Sequence, residues 1–313
     1  VERMEAGLPP EVEEIHLKPL TLESLLEQAW ARYWAGGRNE RAQRTNIRAL
    51  ITCLGASTPP ATITSSTVDS FIETCRRQGN STSTINRKLS TLSKALKFAK
   101  SRDLIERLPT IERLRETEPR VRFYTDLELD RVLGRVEHSD FGDVILFLLD
   151  TGARAGEAAK LLWDDVDLEG QKIRLCETKN GRSRGVPLTA RTAKMLAQRR
   201  QRLHPSARDN ARVFPGWTDA RGTTTPLSRA WISLAKEIGL KGRLHDLRHT
   251  YASRLVQRGV GILAVQQLLG HGSLSMTMRY AHLAPDDLRA AVDTLDGRSQ
   301  ESDFVQHSRP RQA

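Results

Sequence analysis

Three short stretches of this 313-residue chain carry side chains able to act on an anion. The first is Thr151-Gly152-Ala153-Arg154-Ala155-Gly156-Glu157, directly after the apolar run Val144-Ile145-Leu146-Phe147-Leu148-Leu149. An arginine placed beside glycine at the end of a buried helix is held well enough to point at a fixed anion. The same spacing also allows a plain i,i+3 ion pair between Arg154 and Glu157. The second stretch, His245-Asp246-Leu247-Arg248-His249, sets an imidazole and a guanidinium side by side on one helical face, with Leu247, Tyr251 and Leu255 as the core stripe. His249 reads as an ordinary helix histidine. The third is Leu268-Leu269-Gly270-His271 with Met276-Thr277-Met278-Arg279-Tyr280-Ala281-His282 beyond it. Tyr280 lies in a segment with little apolar periodicity, where it is either free to act as a nucleophile or a packing tyrosine.

These side chains need elements to hold them. Residues 1–19, with Pro9, Pro10, Pro19 and an acidic cluster, read as a flexible leader. From Thr21, Leu22, Leu25, Leu26, Ala29 and Trp30 repeat at helical spacing. Further helices are expected over about 40–54, 67–78 and from 81–83 onward, the last with Ile85, Leu89, Leu92, Leu96 and Ala99 as its seam. Arg41, Arg44 and Arg48 form a basic stripe on the second helix; Arg87, Lys88, Lys94, Lys97 and Lys100 lie off the seam of the fourth. Such faces suit phosphate contacts, although solvated faces look similar. Residues 104–121, with Pro109 and Pro119, read as a linker between a helical domain over 20–103 and a second domain over 122–296. That second domain opens with helices near 126–136 and 141–149. A small antiparallel sheet follows, over 166–167, 172–176 and 185–188, with Gly170 and Asn180-Gly181 at its turns. After Thr189 the pattern is helical to a polar tail over 297–313, in which Phe304-Val305 is a candidate contact with a neighbouring subunit.

Charge separates the two domains. The whole chain carries 49 basic and 38 acidic side chains, net +11. Residues 21–103 hold thirteen basic and six acidic groups, a net positive charge per residue more than twice that of residues 104–313. A dense basic module beside a larger mixed-charge one suits a nucleic-acid clamp attached to a working domain. Six consecutive apolar residues cannot cross a bilayer, and residues 1–10 show no basic patch followed by an apolar stretch, so a cytoplasmic, nucleoid-associated protein is expected. Cys53, Cys75 and Cys176 are too few and too scattered for a disulfide framework or a cysteine-rich zinc site.

Together the blocks TGARAGE, HDLRHTYAS, LLGH and MRYAHL closely resemble the tyrosine recombinase (phage integrase) family over about residues 20–290. The ordered set Arg154, Lys179, His245, Arg248, His271 and Tyr280 matches that family's catalytic residues. The resemblance implies a mainly α protein with a small antiparallel sheet. It also implies a two-domain DNA clamp, in which an all-α core-binding domain faces an α+β tyrosine recombinase catalytic domain across the duplex. Its implied partners are double-stranded DNA, three further copies of the chain in a homotetramer on two DNA sites, and accessory DNA-bending proteins. Some twenty residues precede the first helix, so an additional arm-site-binding domain is not expected.

The resemblance also implies a mechanism. The tyrosine hydroxyl attacks a phosphodiester, forming a 3′-phosphotyrosyl link and releasing a 5′-hydroxyl; reversal with another 5′-hydroxyl rejoins exchanged strands. The phosphodiester bond energy is conserved, so neither ATP nor a metal is required, and no cofactor is expected. Arg154 and Arg248 are expected to hold the non-bridging oxygens and His271 to donate a further hydrogen bond. Lys179, before the Asn180-Gly181 turn, is expected to protonate the leaving oxygen, with Arg182 and Arg184 of the same loop binding phosphate. His245 would serve as acid or base near Tyr280, with Glu157 orienting it from behind.

Integration or excision of a phage or island element is the expected role, ahead of chromosome-dimer resolution and of type IB topoisomerase-like relaxation. A zinc hydrolase built on His245, His249 and His271 would leave Arg154, Arg248 and Tyr280 unexplained, and its helix carries Asp246 where a glutamate belongs. A DNA-binding module without catalysis would not need the intact set.

Overall fold

Threonine and serine hydroxyls cap many of the helices at their starts: Thr21, Thr64, Ser81, Thr125, Ser139 and Thr189 each accept a backbone N–H of the first turn. In the computed structural model, which describes residues 19–37, 39–116, 121–176, 183–203, 211–220, 222–285 and 292, the chain divides into two compact units, 1–119 and 120–313. The first unit holds α1 (Leu22–Tyr33), α2 (Glu40–Leu54), α3 (Ser65–Arg77) and α4 (Thr82–Lys100), with a 3-10 turn at Pro60–Thr62. Thr21 with Ser24, and Thr64 with Thr67, form reciprocal capping boxes, and Ser81 accepts from the Thr84 N–H. Each cap satisfies backbone donors that the first helical turn leaves unpaired.

The apolar seams then close on one another. Leu25 and Leu26 of α1, Ile47 and Leu50 of α2, Phe71 of α3, and Leu89 and Leu92 of α4 lie in one buried core. Each such side chain contributes about 1.5–3 kcal/mol on burial. Residues 104–116, expected as a linker, lie against this same unit. Ile105 is buried in its core, with Ile111 and Leu114 packed on it. The Asn86 amide donates to the Leu114 carbonyl at 2.9 Å and to Glu116 Oε1 at 2.7 Å, and the Leu114 N–H returns a bond to Asn86 Oδ1 at 3.0 Å.

In the second unit, α5 (Asp126–Val136), α6 (Asp140–Thr151) and α7 (Ala155–Ala158) precede β1 (Val166–Asp167), β2 (Lys172–Cys176) and β3 (Ser183–Pro187). Then come α8 (Ala190–Gln201), α9 (Thr225–Glu237), α10 (Asp246–Gln257), α11 (Ile262–Leu269) and α12 (Ser275–Met278). The sheet is antiparallel in the order β1-β2-β3, with Ile173 opposite both Val166 and Val186. The period of two puts Ile173, Leu175 and Val186 into the core. Helix α6 is apolar nearly all round and is buried accordingly. Its C-terminal end is anchored by the buried Asp150, which accepts from Thr189 Oγ1 at 2.7 Å, Thr192 Oγ1 at 2.8 Å and Arg191 Nε at 2.7 Å. The start of α10 is anchored too: the Tyr124 hydroxyl donates to the Arg243 carbonyl at 3.0 Å, and Asp246 Oδ2 accepts the Arg243 N–H at 2.8 Å. Among the described residues, no helix is long and apolar enough to cross a membrane.

Candidate active site

Two left-handed glycines bring the three chemical stretches together. Gly152 ends α6 at φ 61°, and a Cβ there would lie 2.4 Å from the Tyr251 ring of α10. Gly270 ends α11 at φ 64°, and its Cβ would lie 2.9 Å from Arg184 Cδ. Both positions therefore need glycine for conformation and for space. With these turns made, Arg248 of α10 donates to the Gly152 carbonyl at 2.6 Å and to the Leu269 carbonyl at 2.5 Å, and is only 3% exposed. One guanidinium thus ties together the ends of α6 and α11, carbonyls that lie far from it in the chain.

Arg154 caps α7. Its backbone N–H donates to Glu157 Oε2 and its Nη1 to Oε1, both at 2.8 Å, so the ion pair that spacing allowed does form. The other partner of Glu157 is Arg184 of β3, at 2.8 and 3.1 Å, which also donates from Nε to the Leu268 carbonyl at 2.9 Å. Two expectations are corrected here. Arg184 is nearly buried and bonded internally, not presented to phosphate, because the end of α11 packs over β3. Glu157 grips two arginines rather than orienting His245. Burial pushes the Glu157 carboxyl up, but the bonds and charges of Arg184 and Arg154 outweigh it and hold the group below the usual 4.5. Its stabilisation is therefore present above that value and lost as pH falls through the depressed one. Glu157→Gln is expected to cost on the order of 3 kcal/mol at neutral pH. That gap should close below pH 4.5, which chemical denaturation across pH would read.

His245 sits at the N-terminal boundary of α10, its ring edge-on to His249 at 5.1 Å. The Nδ1 of His271 pairs with Thr277 Oγ1 at 2.8 Å, and Thr277 is fully buried. Tyr280 is not in the open: it is 1% exposed and packs with Ala252, Val256, Val265 and Leu269. Its hydroxyl and His249 Nδ1 are 2.6 Å apart. Burial raises the Tyr280 pKa, against the pull of Arg279 and Arg248.

The electrostatics are those of one crowded cationic site. Burial and the neighbouring Arg154 bring the Arg248 pKa down to about 10. Burial, then the charges of Arg248 and Arg154, lower His271 to about 3, and burial with Arg248 lowers His245. Burial and His245 lower His249 to about 4. Cations that depress one another in this way are jointly stabilised by an anion placed among them.

Arg154, His245, Arg248, His271 and Tyr280 are thus all brought together in the second unit. Lys179 and Arg182 lie outside the described residues, as do the leader over 1–18 and Phe304-Val305. In the first unit Arg41, Arg48, Arg87, Lys94 and Lys97 are exposed. Arg44 lies 3.5 Å over the Trp30 ring and pairs with Glu27 at 2.6 Å. Lys88 is a correction: it is buried, with Nζ 3.0 Å from Asn80 Oδ1 and 3.7 Å from Cys75 Sγ, because α4 is covered on that side by the end of α3. Sequence reasoning missed Thr277 and undervalued His249. The i,i+4 spacing of His245 and His249 was its only local signal, since Tyr280 comes from a distant segment. Among the described residues, no group of three His, Cys, Asp or Glu side chains could hold a metal ion.

Comparison with known proteins finds matches in both units. Residues 137–287 match the phage integrase family model, and residues 40–103 match the phage integrase N-terminal SAM-like domain. The tyrosine recombinase XerA of Saccharolobus solfataricus is 36% identical over 181 residues, 58% of this chain and 58% of that protein. The tyrosine recombinase XerC of Roseiflexus castenholzii is 30% identical over 241 residues, 71% of this chain and 74% of that one. Among solved structures, the Tn1549 transposon integrase in complex with a circular intermediate DNA superposes with a TM-score of 0.74. It is 20% identical, and the match covers 89% of this chain and 99% of that one.

Proposed function

Because this chain belongs to the phage integrase family of tyrosine recombinases, we propose that it is a site-specific DNA recombinase, cutting and rejoining double-stranded DNA through a 3′-phosphotyrosyl intermediate. The observation that carries this reading is the convergence of Arg154, Arg248, His271 and Tyr280, remote in sequence, within electrostatic reach of one another. Arg154 and Arg248 hold the non-bridging oxygens of the scissile phosphate and neutralise charge growing in the five-coordinate transition state. His271, oriented by Thr277, adds a hydrogen bond to the same phosphate. His245 stands beside Arg248 on the approach to the phosphate. Tyr280 supplies the attacking oxygen, and Lys179 protonates the departing 5′ oxygen. Glu157 and Arg184 set the position of Arg154 from behind.

Arg41, Arg48, Arg87, Lys94 and Lys97 form the phosphate-contacting face of the first unit, and four protomers assemble on two DNA sites. Integration or excision of a mobile element is the favoured role. Resolution of chromosome dimers is the second reading. The genomic position of the core site separates them: an element boundary supports the first, a single chromosomal site the second.

Adduct capture tests the reading and finds the core site at the same time. The protein is incubated with sheared DNA from its source and denatured, and protein-linked fragments are captured and their ends sequenced, with Tyr280→Phe in parallel. Adducts at one recurring inverted repeat, absent from the variant, are expected. Scattered adducts would indicate a relaxing topoisomerase, and their absence beside tight DNA binding would count against catalysis. Lys179→Ala is expected to lose cleavage of ordinary DNA and to recover on a substrate with sulfur at the bridging position, a leaving group that needs no proton. Failure to recover would remove Lys179 as the acid.

A further inference from the structure

A neutral phenol attacks phosphorus slowly, and the burial of Tyr280 keeps its hydroxyl protonated at neutral pH. The proton must therefore leave as the new bond forms, to an acceptor within about 2.6–3.2 Å. The family resemblance gave the acid or base task near Tyr280 to His245. In the structure the hydrogen-bond partner of the hydroxyl is His249, with Nδ1 at 2.6 Å and the rings 5.9 Å apart. His245 lies one helical turn earlier, edge-on to the His249 ring at 5.1 Å, and no hydrogen bond joins it to the hydroxyl among the described residues.

We propose that His249 is a catalytic residue that takes the Tyr280 proton during strand cleavage and returns it on rejoining; the inference rests on the recombinase reading above. As the Tyr280 oxygen bonds to phosphorus, the bond from phosphorus to the 5′ oxygen breaks. The phenolic proton passes to His249 Nδ1, and the departing oxygen takes a proton from Lys179. Rejoining runs each transfer backwards, so no other reactant is consumed. The tautomer required carries its proton on Nε2 and leaves the Nδ1 lone pair facing the hydroxyl. His249 is half-buried on α10, a regular helix anchored at its start through Arg243, so the acceptor is held in place before DNA arrives. The charged and titratable groups around it are His245, Asp246 and Arg248 of the α10 region and Arg279 beside Tyr280. A phosphodiester drawn in by the two arginines would offset the cations that lower its basicity.

The experiment compares single-turnover adduct formation by the wild type, His249→Ala and His249→Asn on a nicked duplex bearing the core site recovered by adduct sequencing. Asparagine offers an acceptor oxygen near the Nδ1 position but takes no proton, so it separates proton transfer from positioning. Both variants are expected to bind the duplex as tightly as wild type, to melt within a few degrees of it, and to cleave about 10²–10⁴-fold more slowly. Both should stay slow on the bridging-sulfur substrate, since the defect lies at the nucleophile and not at the leaving group. Near-normal cleavage by His249→Asn would reduce His249 to a positioning residue. Faster cleavage by His249→Ala would make the contact a latch on the tyrosine. Recovery on the sulfur substrate would move His249 to the leaving group. Each of these overturns the proposal. Nitrogen-detected NMR of the DNA-free protein gives a separate reading: a proton on Nε2 is expected, and one on Nδ1 would overturn it. Absence of adducts from the wild type itself would instead sink the recombinase reading, and the proposal with it.

Discussion

Tyr280→Phe is expected to remove covalent DNA adducts altogether while leaving DNA affinity and fold nearly unchanged. The physical case is that the two side chains differ by one oxygen. The Tyr280 ring is 1% exposed and packs with Ala252, Val256, Val265 and Leu269, contacts a phenylalanine ring repeats. What is lost is the bond to His249 Nδ1, which leaves a half-buried ring nitrogen without that partner and costs about 1 kcal/mol. For a unit of this size that is a fall of roughly 2–4 °C in Tm. Arg154, Arg248 and His271 are untouched, so the phosphate is still drawn in, but no oxygen is available to attack it. Gel-shift affinity, a melting curve and adduct capture read the three consequences separately. Adducts from the variant would mean another nucleophile, and a collapse of affinity would mean that the hydroxyl also holds the binding site together.

Arg248→Ala should be the most damaging change, because it removes transition-state charge and a structural tie at once. Removing one preorganised donor from such a site costs on the order of 10²–10³-fold in rate. Here the same guanidinium also satisfies the Gly152 and Leu269 carbonyls at 2.6 and 2.5 Å. Each carbonyl stranded by truncation adds about 1–3 kcal/mol of destabilisation. The ends of α6 and α11, which carry Arg154 and His271, lose their common anchor. Arg248→Lys separates the two contributions: it keeps the charge, but a single ammonium cannot repeat the planar fork. The lysine variant is expected to regain much of the stability and little of the cleavage rate. Thermal melts beside single-turnover cleavage would show this, and a lysine variant with wild-type turnover would exclude a role for the fork in catalysis.

Much of the second unit is legible in the chain alone. The run Val144 to Leu149 fits a buried helix, and the alternation of Ile173, Leu175 and Val186 between turn residues sets the sheet. The seams of the first unit are equally clear, since Leu22, Leu25, Leu26 and Ala29 all face one core. Residue types and order also point to Arg154, His245, Arg248, His271 and Tyr280 as one set. These signals are local, or they are an ordered pattern along the chain, and both survive in a linear sequence.

Partners of polar side chains are another matter. Lys88 reads as a surface cation, yet Asn80 and Cys75 cover it; Arg184 reads as a phosphate ligand, yet Glu157 and the Leu268 carbonyl take up its donors. Glu157, expected behind His245, holds two arginines, and Tyr280, in a segment of little apolar periodicity, is buried. A helical or strand period tells which face of an element is apolar, because neighbours along the chain share one backbone geometry. It says nothing about what folds over the polar positions, because those partners arrive from segments far away in sequence. The chain by itself therefore determined most of the elements and their apolar faces, and it singled out Arg154, His245, Arg248, His271 and Tyr280 as one ordered set. Only tertiary packing decided that the Tyr280 hydroxyl meets His249 and that Arg248 binds the ends of two helices, since both contacts join residues that no local rule relates.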